Sequence, residues 1–231
     1  MIVNPKQEDL FKAVVEKASL KQEVYHRTLD TFNNFKTGVT LLVKKYHESV
    51  KPGKWNIPFE YKDHGPFEFE LKFGGDILIF LMHTNVFEFS RDHEVMKTSY
   101  IKKNSSLSYC GIIHIFNFLA DSFKYDRTND LGYLIGRIFV NRENHYFVEG
   151  KREIGLLYNN FSNAVLNEDA IHEIIQSSIL YTLNFDLLTP PYDNLKEVTV
   201  EEMKANVENI QMRTGKRLGF KFQADQSGEP Q

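Results

Sequence analysis

The chain has 231 residues, of which 42% are hydrophobic and 26% charged, so it suits a globular protein large enough to bury a core without disulfides. A formal net charge of −3 argues against a dedicated nucleic-acid-binding protein, and no window has the roughly 18 unbroken apolar residues that a membrane-spanning helix needs. The single cysteine, Cys110, fits a reducing compartment, and we expect a soluble cytoplasmic protein.

Residues 6–50 are predicted to be helical, because apolar side chains recur every seven positions from Phe11 to Tyr46. One unbroken helix of this length would be about 66 Å long, which exceeds a compact domain of this chain length. Ser19 is a potential helix cap and Gly38 a potential kink, so we favour two or three helical pieces folded on a sheet. The alternative is a longer helix that pairs with a second subunit.

A linker rich in Pro and Gly, residues 51–66, precedes a predicted three-stranded meander at residues 67–90. Two turns, at residues 74–75 and 84–85, connect its strands. Residues 91–106 are polar and predict a loop with a short helix. The two turns set the cross-strand pairs Leu71 with Leu78, Phe69 with Phe80, Met82 with Phe87 and Phe80 with Phe89.

Residues 107–123 are predicted to form a strand because their centre is β-branched, although a helix from Phe116 is the alternative. Residues 131–158 are the best-specified element, a hairpin with residues 142–144 in its loop. This register brings together opposite charges, aromatic residues and glycines. The facing pairs are Asn141 with His145, Phe139 with Phe147, Ile138 with Val148, Arg137 with Glu149 and Gly136 with Gly150.

Side chains alternate along a strand, so the hairpin has a predicted core face and a mixed second face. The core face consists of Leu134, Gly136, Ile138, Val140, Tyr146, Val148 and Gly150. The second face carries Tyr133, Ile135, Arg137, Phe139, Asn141, His145, Phe147, Glu149 and Lys151.

Asn167 is a predicted N-cap for a helix that runs to about Phe185 and buries Ile171. A capping box at residues 199–202 predicts a second helix that ends near Gly215. The remaining predictions are an edge strand at residues 217–222 and a disordered tail at residues 224–231.

Together these elements predict an α+β fold, an antiparallel sheet of roughly six or seven strands in hairpins, with long N-terminal helices and two C-terminal helices packed on it. We expect one domain overall. Its parts are an N-terminal helical segment at residues 1–50, an α+β core at residues 51–223 and the disordered tail at residues 224–231.

The candidate site lies on the hairpin. The opposed glycines leave a notch in the core face, where we favour a packed helix over a ligand. On the second face an Arg–Glu pair lies beside two phenylalanines, which is too apolar for an ordinary wet surface. We rank a structural ion pair first, a protein interface second and an acid/base or anion site third. The tentative binding residues are Gly136, Arg137, Phe139, His145, Phe147, Glu149 and Gly150.

No sequence motif indicates a known catalytic or metal-binding chemistry. Glycine-rich phosphate loops are absent from the sequence, and the histidines lack the spacing of a zinc site, so we predict no metal and no cofactor. Acidic residues in turns are expected to serve the backbone. The candidate groups are Asp63-His64, His83 and Asp92-His93-Glu94 for a metal, Asp121, Asp126, Arg127 and Asp130 for hydrolysis, and Arg213, Lys216, Arg217 and Lys221 for a phosphate.

The first functional hypothesis is therefore a non-catalytic cytoplasmic binding or interaction protein, with a regulatory role open, that binds a protein partner or a second copy of itself. The alternative is a small-ligand-sensing or hydrolytic enzyme domain that uses Arg137, His145 and Glu149. Nucleic-acid binding through the basic run near the C-terminus ranks third, and no membrane association is expected.

Overall fold

The computed structural model describes residues 5–51, 53–150, 160–186, 197 and 199–201. It confirms the α+β fold, with a seven-stranded antiparallel sheet and helices packed on it. The strands are β1 (Phe59–Asp63), β2 (Glu68–Phe73), β3 (Asp76–Met82), β4 (Phe87–Glu88), β5 (Tyr109–Leu119), β6 (Tyr133–Asn141) and β7 (Tyr146–Gly150). The helices are α1 (Pro5–Ser49), α2 (Ser99–Lys103), α3 (Ala120–Lys124) and α4 (Glu168–Leu183).

The sheet order is β1-β2-β3-β5-β6-β7, with β4 paired to the start of β5. The hairpin between β2 and β3 has the predicted register, with Leu71 facing Leu78 and Phe69 facing Phe80. β1 is a strand within the segment predicted to be a linker.

The predicted hairpin between β3 and β4 is wrong. Met82 pairs with Ile113 of β5, and Phe87 pairs with Cys110 of the same strand. The reason is that β5 is an apolar strand of 11 residues, which offers β3 a longer ladder than the two residues of β4 can offer. Of the strand predicted at residues 107–123, Tyr109–Leu119 are confirmed as β5, whereas the residues from Ala120 onwards form α3.

The N-terminal helix corrects a second expectation. α1 is one unbroken helix of 45 residues rather than two or three pieces, as in the alternative of a longer helix. Ser19 does not cap a new helix, and Gly38 does not break the existing one. Gly38 instead lies where α4 crosses, and a Cβ atom there would be 3.2 Å from Ile175 Cδ1. The lack of a side chain at Gly38 leaves room for α4, which accounts for a glycine at this position of α1.

The main core lies between one face of the sheet, called here the inner face, and the helices α1 and α4. Phe32 and Phe35 of α1 pack against the sheet, with ring centroids 5.3 Å from Phe69 and 5.9 Å from Phe80. Phe69 and Phe80 stack on each other across two strands at 4.6 Å. The buried isoleucines of α4 join the same cluster, and the side chain of Asn167 caps this helix as predicted, by accepting a hydrogen bond from the Ala170 N–H at 2.9 Å.

A second apolar cluster covers one end of the opposite face of the sheet, the outer face. The segment at residues 94–108, which holds α2 between two 3₁₀ turns, folds over this end as the predicted loop with a short helix. The buried members of this cluster are Phe89, Val95, Ile101, Leu107, Cys110, Ile112, Phe139 and Phe161. The rest of the outer face, around Ile79, Leu81, His114 and Phe116, is only half-buried.

A bulge changes the predicted faces of β6. The register between β5 and β6 shifts between Ile115 and Phe116, so Ile135 is an extra residue on β6. Ile135 is therefore 1% exposed in the main core, whereas Leu134 is 40% exposed. Ile135 and Leu134 therefore lie on the faces opposite to those predicted. Tyr133, like Ile135, packs against the core cluster. Beyond the bulge, from Gly136 onwards, the predicted faces are correct.

The predicted helix beyond residue 201, the edge strand at residues 217–222 and the tail at residues 224–231 lie outside the described residues. Within the described part of the chain, no helix is both long and apolar enough to span a membrane.

Candidate binding surfaces

The hairpin of β6 and β7 has the register that the sequence predicts. Arg137 faces Glu149, Phe139 faces Phe147 and Gly136 faces Gly150. The loop is held by Asn141, whose fully buried side chain makes four hydrogen bonds. Its Oδ1 accepts from the N–H groups of Glu143 and His145, and its Nδ2 donates to the Tyr100 hydroxyl and the Leu107 carbonyl. One buried amide therefore fixes the loop to the segment that covers the outer face.

Three of the predicted binding residues lie in or beside the second apolar cluster. Phe139 is 8% exposed and packs against Phe89 at 5.0 Å, and Phe147 packs at the margin of the same cluster. His145 stacks on Tyr100 at 4.7 Å, and its Nδ1 lies 2.9 Å from the Phe161 carbonyl oxygen, to which it donates. Burial, followed by the hydrogen bond to Glu143, raises the pKa of Tyr100. Phe139, Phe147 and His145 therefore pack against other residues of the protein.

Arg137 and Glu149 remain open to solvent, with 38% and 49% of their side chains exposed. Arg137 Nε donates to Glu149 Oε2 at 2.7 Å, and Nη2 donates to the same oxygen. The guanidinium carbon also lies 5.3 Å from the centroid of the Phe139 ring. The Phe139–Phe147 pair stands between this ion pair and His145 along the strands, so the structure does not bring the predicted Arg–His–Glu set together.

The histidine beside Arg137 is His114 of β5, which faces it across the strands. Burial, then the charges of Arg137 and His83, lower the pKa of His114 from its ordinary value. Sequence patterns within the hairpin could not find this residue, because the pairing of β5 with β6 joins segments about twenty residues apart. The signal that was available is the alternation of β5, which puts His114 on the face opposite Ile113 and Ile115.

The glycine notch is present in register, with Gly136 buried and Gly150 exposed. Close contact between α1 and the sheet occurs at another glycine, Gly111 of β5. A Cβ atom on Gly111 would lie 2.0 Å from the Thr28 hydroxyl oxygen and 2.7 Å from Thr28 Cβ. Gly111 was not among the predicted glycines, and a helix seated in the notch of Gly136 and Gly150 stays a prediction.

The first part of α1 extends past the sheet. Every side chain from residue 6 to residue 19, called here the projecting segment, is exposed. It includes four large apolar side chains that are 58–62% exposed: Leu10, Phe11, Val14 and Val15. The heptad pattern predicted an apolar stripe here. It did not predict that the sheet ends before the stripe and leaves these side chains exposed.

Several of the remaining candidate residues have structural partners. His64 Nε2 lies 2.9 Å from Glu70 Oε2, and Arg127 forms a buried ion pair with Asp130 at 3.2 Å. Asp130 also accepts a hydrogen bond from the Ser122 hydroxyl at 2.7 Å, so two side chains hold its carboxylate. Among the residues that the structure describes, no three potential metal ligands gather. The basic run from Arg213 to Lys221 lies outside them.

No protein-family model, no curated protein and no solved structure matches this chain at a significant level. The candidate surfaces therefore rest on geometry and chemistry alone.

Proposed function

We propose that the protein is a non-catalytic interaction protein and that its projecting segment binds a second copy of the chain. The observation that carries this proposal is the set of four large apolar side chains that are 58–62% exposed within two turns of one helix. Contiguous exposed apolar side chains are typical of interaction surfaces.

The exposed side chains continue the stripe that packs on the sheet. Leu10 and Val14 lie 18 residues, or about five helical turns, before Thr28 and Phe32, which are both fully buried. Residues separated by whole turns point in the same direction from the helix axis. The helix therefore presents its core-facing stripe to solvent as soon as the sheet ends.

The direction of the stripe favours an antiparallel partner. The stripe faces the side on which the protein's own sheet lies, beyond the point where Lys17 contacts Tyr109 at the start of β5. A parallel partner helix would carry its own sheet into the space of this one. An antiparallel partner carries its sheet away, so two copies can pair about a two-fold axis near Val14.

Charges do not add to the choice of orientation. Lys17 and Arg142 line a cavity of about 460 Å³ at the base of the projecting segment together with Glu16 and Glu23, and Arg142 lies 3.5 Å from Glu23. The direction of the apolar stripe therefore carries the argument for an antiparallel partner.

Analytical ultracentrifugation of the full chain over a range of concentrations tests the proposal. We expect a reversible dimer that Val14→Glu weakens at least tenfold. Leu41→Glu is the matched control, since Leu41 is an equally apolar residue of α1, 47% exposed, outside the projecting segment. A wild-type chain that stays monomeric at several hundred micromolar, or a dimer that Val14→Glu leaves intact, overturns the proposal.

The alternative of a hydrolytic domain receives less support, because His145 is held by Tyr100 and Phe161, away from Arg137. The cytoplasmic location stays part of the proposal on the ground of the single cysteine. Cell fractionation tests it, and recovery of the protein outside the cytoplasm contradicts it.

A further inference from the structure

We propose that the outer face of the sheet binds a small organic anion, with Arg137, His114 and His83 as the groups that hold its carboxylate or phosphate. The site is separate from the projecting segment and would function in a monomer or a dimer.

Three adjacent strands bring these groups together. His114 at the centre of β5 faces Arg137 of β6 on one side and Leu81 of β3 on the other. His83 follows β3 directly, and its N–H donates to the Ile112 carbonyl at 2.9 Å, which extends the ladder between β3 and β5. His83 therefore stands on the same face as His114, diagonally across the strand boundary.

Each group keeps donor capacity for a ligand. No described residue forms a hydrogen bond with the ring of His114. Arg137 uses Nε and Nη2 on Glu149, which holds the guanidinium in place and leaves Nη1 for another acceptor. The Asn85 N–H donates to His83 Nδ1 at 3.0 Å, so a neutral His83 carries its proton on Nε2 and can donate it outward.

The electrostatics match an anion better than a cation. His114 is half-buried between Arg137 and His83, and this placement lowers its pKa, chiefly through burial. Among the described carboxylates, Glu149 is engaged by Arg137, Glu70 contacts His64, and Glu68 lies on β2 beyond Leu81. A bound anion would offset the burial and the nearby positive charge that disfavour protonated His114, and would so favour its protonated form.

The surroundings select an anion with an apolar body. Ile79, Leu81 and Phe116 are half-buried on the same face, and the Phe116 ring lies 5.7 Å from the His114 ring. Small-ligand sites combine apolar side chains with a few placed polar groups, and this face has both.

NMR titration of the full chain with benzoate and, separately, with inorganic phosphate tests the site. We expect saturable shifts of the His114 ring signals, assigned by their loss in His114→Gln, and an upward shift of the His114 pKa on binding. Arg137→Gln should weaken binding at least tenfold, whereas Arg142→Gln, an arginine of the hairpin loop, should leave it unchanged. Tighter binding of benzoate than of phosphate identifies a carboxylate with an apolar body, and the reverse order identifies a phosphate ligand.

Absence of any His114 shift at millimolar benzoate and phosphate overturns the inference, as does binding, followed by backbone amide shifts, that survives the combined His114→Gln and Arg137→Gln changes. If Arg137→Gln does not fold, His83→Gln takes its place, since His83 is bound to the sheet through its backbone. Val14→Glu, which tests the self-association proposal, should leave anion binding unchanged, so the two proposals fail separately.

Discussion

Gly111 is where α1 and the sheet come into direct contact, and its lack of a side chain lets Thr28 reach the strand. Thr28 is fully buried and its hydroxyl donates to the Val24 carbonyl at 2.7 Å, so its side chain has no free rotation. We expect Gly111→Ala to destabilise the protein by about 1–3 kcal/mol, because the added methyl group must displace α1 or strain the strand.

Urea unfolding measures this change. Gly53→Ala is the control, since nothing lies within 4 Å of a Cβ atom at that position. Equal unfolding midpoints for Gly111→Ala and the wild type would contradict the close contact between helix and sheet.

His114 makes stability depend on pH in a defined direction. Burial, then Arg137 and His83, lower its pKa in the folded protein below the value of 6.5 that an unfolded chain retains. Between these two values the unfolded state binds more protons, so stability is lost as pH falls through and below 6.5. We expect this loss to be smaller in His114→Gln than in the wild type when unfolding free energies are compared across that range.

The control for this second prediction is His26→Gln, which removes an exposed histidine of α1. If the wild type and His114→Gln lose the same stability on acidification, His114 is not the group responsible.

At the level of elements, the sequence identifies contacts that are local along the chain. The hairpins β2–β3 and β6–β7 are correct in register because a short turn determines which residues face each other. The β3–β4 pairing fails because a distant strand, β5, competes for the same edge. The bulge at Ile135 has no turn signal, since it arises from the fit of two strands that are separated by α3.

The candidate site follows the same rule. The Arg137–Glu149 pair is a local hairpin contact and is correctly predicted, whereas His114, which faces Arg137, comes from β5. His145 is near Arg137 in the sequence, yet the Phe139–Phe147 pair stands between them, and His145 contacts Tyr100 and Phe161 instead.

At Gly38 we expect alanine to change the free energy of unfolding in the opposite direction to Gly111→Ala. A Cβ atom at Gly38 meets Ile175 Cδ1 at 3.2 Å, and this is the flexible end of a side chain of α4. Alanine raises helix stability by about 1 kcal/mol relative to glycine. We therefore expect Gly38→Ala to be neutral or to stabilise the protein by up to about 1 kcal/mol, and Gly38→Leu to destabilise it by displacing α4.

Thermal unfolding of the two variants measures this difference, with Ser19→Ala reporting the helix-propensity gain at an exposed position of α1. Destabilisation by Gly38→Ala would mean that α4 cannot yield at this crossing.

For the whole molecule, α1 is one helix with two environments. From Val24 to Val39 it rests on the sheet and has buried side chains, whereas the projecting segment has exposed side chains throughout. A helix as short as the projecting segment is only marginally stable in water unless another element packs on it. We expect amides of the projecting segment to exchange with solvent quickly in the monomer and more slowly as protein concentration rises and the second copy covers the stripe.

Hydrogen exchange at low and high protein concentration, analysed by mass spectrometry, measures the effect. Peptides from the sheet-bound part of α1 should be protected equally at both concentrations, because the sheet covers them in the monomer. In Val14→Glu the concentration dependence of the projecting segment should disappear while the sheet-bound part is unchanged. Dimerisation without slower exchange in the projecting segment would mean that the two copies meet through a different surface, and the exposed stripe of α1 would then need another occupant.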